Sequence, residues 1–247
     1  MNVTESPQSR TTREPSGMGG FEQHPMRTIA VIARKGGSGK TTLAVHLAIA
    51  AHLRGRKTML ADSDAQRSAS EVLRGRQGPG PEWVETSGQK LFAVQMAAVR
   101  SGADAMIIDT PAVLEEEVSH SIVVSDLSLL VIRPTFLDIA AALRTAEIIR
   151  RLRKPGLIVL NQAPPAREGV EPPAVKRALE ALMLMRLPVA PMILRARANY
   201  QSVLEAGRSV EELDPTNPAA REMGALWDFI ERLVYGAANG ARKGAAS

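Results

Sequence analysis

The 247-residue chain contains no cysteine. This absence excludes a disulfide scaffold, a thiolate-ligated zinc site, an iron–sulfur cluster and a cysteine nucleophile. Aromatic residues are scarce, at 2 Trp, 2 Tyr and 4 Phe, which argues against a protein that reads single-stranded nucleic acid by base stacking. The chemistry must therefore come from other side chains and from the backbone.

Long hydrophobic runs are also missing. No apolar stretch approaches the roughly 18 residues that a membrane-spanning helix needs. The N-terminus lacks the continuous apolar segment of a signal peptide, so we expect a cytoplasmic protein. The net charge is +5 and most of the 31 basic residues are arginines. This composition suits phosphate-containing partners without identifying one.

Small and polar residues dominate both ends of the chain. Residues 1–25 are rich in Ser, Thr, Pro, Gly and Gln, and residues 237–247 are rich in Gly and Ala. Both segments are therefore predicted to be disordered tails. Residues 26–236 show neither a repeat nor a second core, so we predict a single domain there.

Short apolar segments alternate with longer helical patterns across that domain. Strands are expected at 28–33, 57–61, 105–108, 127–132, 157–160 and 187–193, with a short one within 77–88. Helices are expected at 41–53, 68–76, 91–100, 137–153, 173–185, 198–206 and 217–235. This alternation predicts an α/β fold with a single doubly wound, mostly parallel sheet flanked by helices. Ligands of such folds bind at the carboxyl ends of the strands.

A glycine-rich turn joins the first strand to the first helix. Glycines let the backbone amides of the turn point inward, and together with the helix N-terminus these amides form a site for a triphosphate. Lys40 supplies a point charge to the β- and γ-phosphates, and Thr41 offers a hydroxyl to Mg²⁺. This loop, of the P-loop nucleotide hydrolase type, predicts ATP and Mg²⁺ as ligands. The residues expected to bind the nucleotide here are Lys35, Gly36, Gly37, Ser38, Gly39, Lys40, Thr41 and Thr42.

The loop departs from the standard pattern in two places. Arg34 stands where the standard pattern has its first glycine, and Lys35 is an additional lysine. This form resembles the deviant Walker A motif of the ParA/MinD superfamily of dimerising ATPases. The resemblance implies that Lys35 reaches the nucleotide of a partner subunit, so that ATP binding and dimerisation are coupled.

Further motifs of that superfamily follow in the expected order. The segment Asp62-Ser-Asp64-Ala65-Gln66 is similar to D-x-D-P-Q, in which the second aspartate orients the attacking water. Asp109 ends an apolar strand as in a Walker B motif, which implies a contact with Mg²⁺ through water. Asn161 corresponds to an asparagine placed against the adenine edge. The resemblance thus makes Lys35, Lys40 and Asp64 catalytic, Asn161 cofactor-binding, and Thr41 and Asp109 metal-binding.

Two later segments support the same resemblance, which extends from Met26 to about Tyr235. Pro134 with Asp138 is similar to a P-x-x-x-D segment that follows a strand, and residues 195–212 are similar to the region after the last strand of ParA proteins. Since only about 25 residues stand before Met26 in this sequence, we expect the short ParA type, which has no large helix-turn-helix region before the ATPase.

The resemblance implies a partitioning or positioning ATPase. An ATP-dependent homodimer is expected to bind nonspecific double-stranded DNA on the nucleoid, and a ParB-like or adaptor partner to stimulate slow hydrolysis. The cargo, whether plasmid, chromosome or another assembly, is left open. Candidate DNA contacts are Arg195, Arg197, Arg208, Arg221 and Arg232, with a further basic cluster at residues 150–154.

Two alternatives remain. One is a MinD-like ATPase that acts at a membrane surface through the closing helix. Its apolar residues are Leu226, Phe229, Ile230, Leu233 and Val234. An ordinary helix docked on the core is the favoured interpretation, so no stable membrane association is expected. The other is an ATP-dependent ligase of the dethiobiotin synthetase kind, which gives Lys35 no role.

Overall fold

The computed structural model describes residues 26–112 and 115–236. The two predicted tails lie outside these residues. The described residues form a parallel six-stranded sheet. Its strands are β1 (Arg27–Ile32), β2 (Thr58–Asp62), β3 (Glu82–Glu85), β4 (Ala105–Asp109), β5 (Leu127–Ile132) and β6 (Gly156–Leu160).

The strand order is β3-β2-β4-β1-β5-β6. Because β1 lies between β4 and β5, the chain winds outward from it in both directions, and its carboxyl end lies at the switch point of the sheet. Asp62 on β2 and Val31 on β1 are both level with Asp109 on β4. The predicted doubly wound parallel sheet is confirmed, and its register brings the ends of three strands together.

Helices cover both faces of the sheet. They are α1 (Lys40–Leu53), α2 (Ser68–Arg74), α3 (Leu91–Arg100), α4 (Glu115–Val124), α5 (Phe136–Arg151), α6 (Pro173–Met183), α7 (Asn199–Ser202), α8 (Val210–Leu213) and α9 (Pro218–Tyr235). Helices α1, α2 and α7 to α9 pack on one face, and α3 to α6 pack on the other. Both faces of the sheet are therefore covered, as continuous apolar strands require.

Helix α9 closes the first of these layers. Asn217 caps its N-terminus by accepting hydrogen bonds from the amides of Ala219 and Ala220, and Pro218 occupies the first turn. Leu226, Trp227 and Ile230 are fully buried against α1 and the sheet. Most of the apolar side of α9 is thus part of the core, as the docked-helix interpretation predicts, whereas Leu233 is exposed.

The structure corrects the prediction of a last strand at 187–193. Only one isolated bridge forms there, between Ile158 and Val189, and a second, between Ala163 and Arg195, lies just beyond it. Pro188 and Pro191 lack the amide hydrogens that a strand ladder needs. The segment still runs alongside β6, since Ala190 donates to the carbonyl of Ile158.

Two further differences concern helices. Helices α4 and α8 are absent from the prediction. The helix predicted at 198–206 is one turn of α-helix followed by a 3₁₀ turn at Val203–Ala206. Among the residues that the structure describes, no helix is both long and apolar enough to span a membrane.

Candidate functional site

The loop between β1 and α1 needs glycine at two positions. Gly37 and Gly39 have φ of 72° and 89°, in the left-handed region. A Cβ on Gly39 would lie 2.5 Å from the Asn161 side-chain nitrogen. Helix α1 follows with neither an acidic residue in its first turn nor a side-chain cap. Its first amides are therefore available to an anion, as a phosphate site requires.

Lys40 and Asp109 face each other at the base of this loop. Both side chains are buried. Burial lowers the pKa of Lys40, opposed by the negative charges of Asp109 and Asp64. Burial raises the pKa of Asp109 to about 7, opposed by the Thr41 hydroxyl and by the Lys40 charge. The predicted residues of the phosphate and metal site are thus close enough to interact electrostatically.

The buried oxygens at this point fit a hard cation. Neither carboxylate oxygen of Asp109 accepts a hydrogen bond of normal geometry from any described residue, although the Thr41 hydroxyl is near enough to favour the ionised form. The hydroxyl of Ser38 is likewise buried and unpaired within the described part of the chain. Mg²⁺ prefers oxygen ligands and is usually held by one or two carboxylates together with substrate phosphates. Within residues 26–112 and 115–236, no group of three or more His, Cys, Asp or Glu that could hold a metal occurs.

The two aspartates after β2 have different surroundings. Asp62 is buried and accepts hydrogen bonds from the Ser70 amide and hydroxyl, both at 2.9 Å, and from the Asp64 amide at 3.2 Å. Asp64 is half-buried, and its Oδ1 accepts from the Gln66 amide at 3.0 Å. Asp62 therefore fixes the start of α2, whereas Asp64 can still bind a ligand or a water molecule.

Lys35 and Gly36 are exposed on the outer side of the loop. Lys35 therefore differs from Lys40, which is buried. On the neighbouring strand, Arg133 pairs with Asp138, and its Nη1 lies 3.7 Å from the place of a Cβ on Gly37. This ion pair brings the P-x-x-x-D segment against the phosphate loop.

A cavity of about 430 Å³ adjoins the loop on its β6 side. Its volume is within the range of small-molecule sites. Asn161 and Gln162 line it and donate to the carbonyls of Ser38 and Gly37, at 2.8 and 3.0 Å. Asn161, predicted to meet an adenine edge, thus lies where the phosphate loop and the cavity join. The other lining residues include Thr42, Leu43, Leu194, Tyr200, Gln201 and Met223.

The far wall of the cavity is built from residues 194–201, and its two arginines are paired. Arg195 makes two hydrogen bonds to Glu171, at 2.9 and 2.5 Å. Arg197 makes two to Glu222, at 3.0 and 2.7 Å. Each of these two candidate DNA-contacting guanidinium groups is thus paired with a carboxylate beside the cavity, and their contact with DNA stays a prediction.

The remaining candidate arginines are exposed. Arg221 and Arg232 lie on the outer side of α9, and Arg208 precedes α8. Sequence reasoning missed Gln162 and Glu222, which contact the phosphate loop and the cavity wall. Gln162 directly follows Asn161 at a strand end, and this position alone could have marked it as a candidate site residue. The partners of Glu222 depend on tertiary structure and could not be found in the sequence.

Comparisons with known proteins identify the family of this chain. The family described as the CobQ/CobB/MinD/ParA nucleotide binding domain matches residues 29–218, so the chain belongs to that family. An uncharacterized ATP-binding protein of Methanocaldococcus jannaschii is 27% identical over 242 residues, covering 83% of this chain and 87% of that protein. The maintenance of carboxysome distribution protein A of Halothiobacillus neapolitanus is 27% identical over 215 residues, covering 79% and 91%.

A solved structure shows the same fold. The septum site-determining protein MinD of Pyrococcus horikoshii, complexed with Mg-ADP, superimposes with a TM-score of 0.68 at 18% identity, covering 84% of this chain and 97% of that one.

Proposed function

We propose that this member of the CobQ/CobB/MinD/ParA family is a positioning ATPase of the ParA type. It binds ATP with Mg²⁺ at the phosphate loop and dimerises in the ATP-bound state. The dimer binds double-stranded DNA without sequence preference, and a ParB-like or adaptor partner carried by the cargo stimulates slow hydrolysis. Relatives named for Mg-ADP binding and for carboxysome distribution support this class of function.

Each residue of the loop has a role in this proposal. Lys40 and the first amides of α1 bind the phosphates, and Thr41 with Asp109 holds the metal. When bound, Mg²⁺ neutralises charge on the phosphate oxygens. Asp64 accepts a hydrogen bond from the attacking water and orients it toward the γ-phosphate. Positioning and charge neutralisation supply most of the catalysis in phosphoryl transfer.

The contrast between the two lysines of the loop carries the proposal. Lys40 is buried between acidic groups, where it can serve the nucleotide bound by its own subunit. Lys35 is exposed five residues earlier on the same loop. An exposed lysine there can reach a nucleotide on a second copy, and ATP would then supply the negative charge that joins two positively charged loops. The ligase alternative gives Lys35 no role.

Light scattering tests the proposal. We expect a monomer with ADP and a dimer with ATP, most clearly in an Asp64→Ala variant that retains the bound nucleotide. Lys35→Ala should bind ATP but lose the dimer. Lys57→Ala, which removes an exposed lysine just before β2 at the opposite edge of the sheet, is the matched control and should dimerise normally. A dimer that survives unchanged in Lys35→Ala would refute the proposed role of this lysine.

A further inference from the structure

One carboxylate on α9 holds much of the cavity wall. Glu222 Oε2 accepts from the Arg195 amide at 3.0 Å and from the Tyr200 hydroxyl at 3.1 Å. Its Oε1 accepts from Arg197 Nε and Nη2, at 3.0 and 2.7 Å. A single side chain thus receives four hydrogen bonds from three residues that line the cavity. Hydrogen bonds to a charged group are among the stronger ones in proteins.

Arg195 is also held by Glu171, and Tyr200 by the Ala219 carbonyl. After the bonds from Leu194 to Leu160 and from Ala196 to Ala163, the segment leaves the edge of the sheet. Its next regular structure is the single turn of α7. From the other side, His46 on α1 bonds the carbonyl of Tyr200 at 3.0 Å. Glu222 is the side chain that bonds Arg195, Arg197 and Tyr200 together across the stretch between the sheet edge and α7.

We propose that Glu222 is a positioning residue for nucleotide binding, one that holds residues 195–200 in the shape that receives the base. The inference rests on the proposed function, in which the phosphate loop takes the triphosphate and the adjoining cavity takes the base. Glu222 touches Arg195, Arg197 and Tyr200, but none of its hydrogen bonds reaches the phosphate loop. Its removal should weaken recognition of the base and leave recognition of the phosphates intact.

Two ligands separate these effects. ATP needs both the loop and the cavity, whereas tripolyphosphate with Mg²⁺ needs only the loop. Calorimetric titration of Glu222→Gln should show ATP bound about tenfold more weakly, equivalent to 1.4 kcal/mol, and tripolyphosphate bound within about twofold of wild type. Gln keeps the size of the side chain but removes the charge that three wall residues share.

The same helix offers a matched control. Glu231 also accepts two hydrogen bonds from one arginine, from Arg56 Nε and Nη2 at 2.9 and 2.7 Å, but Arg56, unlike the partners of Glu222, does not line the cavity. Glu231→Gln should therefore leave both affinities at the wild-type level. Tyr200→Phe is a milder variant, since it removes only a hydroxyl that bonds Glu222 and the Ala219 carbonyl. It should weaken ATP binding by about threefold with no change for tripolyphosphate.

The inference is overturned if Glu222→Gln and Tyr200→Phe bind ATP as tightly as wild type. It is also overturned if both ligands weaken by the same factor, which would indicate a general structural defect, or if Glu231→Gln reproduces the effect. A wild-type protein that binds neither ligand would instead defeat the proposed function, so the two failures are distinguishable.

Discussion

At the scale of single residues, Asp62 and Asp64 show how close neighbours acquire different tasks. Asp62 is buried with three hydrogen bonds, two of them from Ser70 at the start of α2. Asp64 is half-buried, and its side chain accepts from the Gln66 amide. Three of the roughly four acceptor sites of the buried Asp62 carboxylate are already used, so the second aspartate is the better candidate for catalysis.

We therefore expect opposite outcomes from two alanine variants. Asp64→Ala should bind ATP and melt like wild type, yet lose ATPase activity by about 100-fold or more, since a positioned acid–base group contributes on that order. Asp62→Ala should lose about 1–3 kcal/mol of unfolding free energy, because the Ser70 groups are left buried and unpaired. Steady-state phosphate release measures the ATPase activity of each variant, and thermal melts measure its stability. Wild-type turnover in Asp64→Ala would show that another group orients the water.

A buried histidine gives a second expectation at this scale. His46 bonds the Tyr200 carbonyl through Nε2 at 3.0 Å, and its Nδ1 accepts from the Val210 amide at 3.4 Å. Burial lowers its pKa to about 4. The unfolded chain therefore binds a proton between about pH 6.5 and 4 that the folded protein does not, and His46 lowers stability as the pH falls through this window.

Protonation of Asp109 has the opposite effect on stability as the pH falls, so its contribution must be separated from that of His46. The pKa of Asp109 is raised to about 7, so the folded protein holds a proton that the unfolded chain releases above about pH 4. Comparison with His46→Gln removes this contribution, because both proteins contain Asp109. The difference in unfolding free energy between wild type and His46→Gln should shrink by roughly 3 kcal/mol from pH 7 to pH 4. Urea unfolding without nucleotide measures it, and a difference that is constant with pH would contradict the assigned pKa.

At the scale of elements, apolar runs predicted five of the six strands closely, and the short β3 was expected within a wider loop. The prediction at 187–193 was wrong because an apolar run was given more weight than Pro188 and Pro191, which cannot donate to a ladder. Helix α4 was missed because only Val118 and Ile122 mark its buried side. Its β-branched end at Val123 and Val124 is more typical of strands.

The predicted site depended on motifs near strand ends, and these were local enough to be found in the sequence. The loop, Asp64, Asp109 and Asn161 fall at the carboxyl ends of β1, β2, β4 and β6. The cavity wall could not be predicted in this way, because its shape depends on pairs such as Arg195 with Glu171 and Arg197 with Glu222. Their partners lie about 25 residues away in sequence.

Alanine variants of two glycines test the backbone conformation of the phosphate loop. Gly39→Ala places a methyl group 2.5 Å from the Asn161 amide at a φ of 89°. We expect it to lose about 1–2 kcal/mol of unfolding free energy, the cost of a left-handed conformation for a residue with a Cβ. Nothing lies within 4 Å of a Cβ on Gly36. Gly36→Ala should therefore unfold, in the absence of nucleotide, like wild type. Equal denaturation midpoints for the two variants would contradict this requirement for glycine at position 39.

At the scale of the whole molecule, two of the candidate basic groups lie at separate places. The cluster at residues 150–154 ends α5 and precedes β6, so it lies at the amino edge of the sheet, opposite the phosphate loop. Helix α9 starts beside the cavity, and its last residue, Tyr235, donates to the Asp104 carbonyl before β4. Arg221 and Arg232 share one side of α9, eleven residues or about 16 Å apart. Arg221 is therefore near the edge at which two copies would meet.

This placement makes DNA binding by the ATP dimer testable with one residue and one control. Binding to about four to eight phosphates gives a slope of log affinity against log salt between roughly −4 and −7, because each contact releases condensed counterions. Arg221→Ala removes one contact from each subunit, so the slope should weaken by about 2 without any change in sequence preference. Arg151→Ala removes the same charge at the opposite edge and should leave the slope unchanged.

Co-sedimentation with duplex DNA, in ATP and in ADP, measures the salt slope and its dependence on the nucleotide. The same experiment with liposomes measures binding to membranes. DNA binding that ignores the nucleotide would remove DNA as the partner of the switch. Sedimentation with liposomes but not with DNA would support the membrane alternative. On α9, Leu226 and Ile230 are buried in the core, which disfavours that alternative, and Leu233 is exposed.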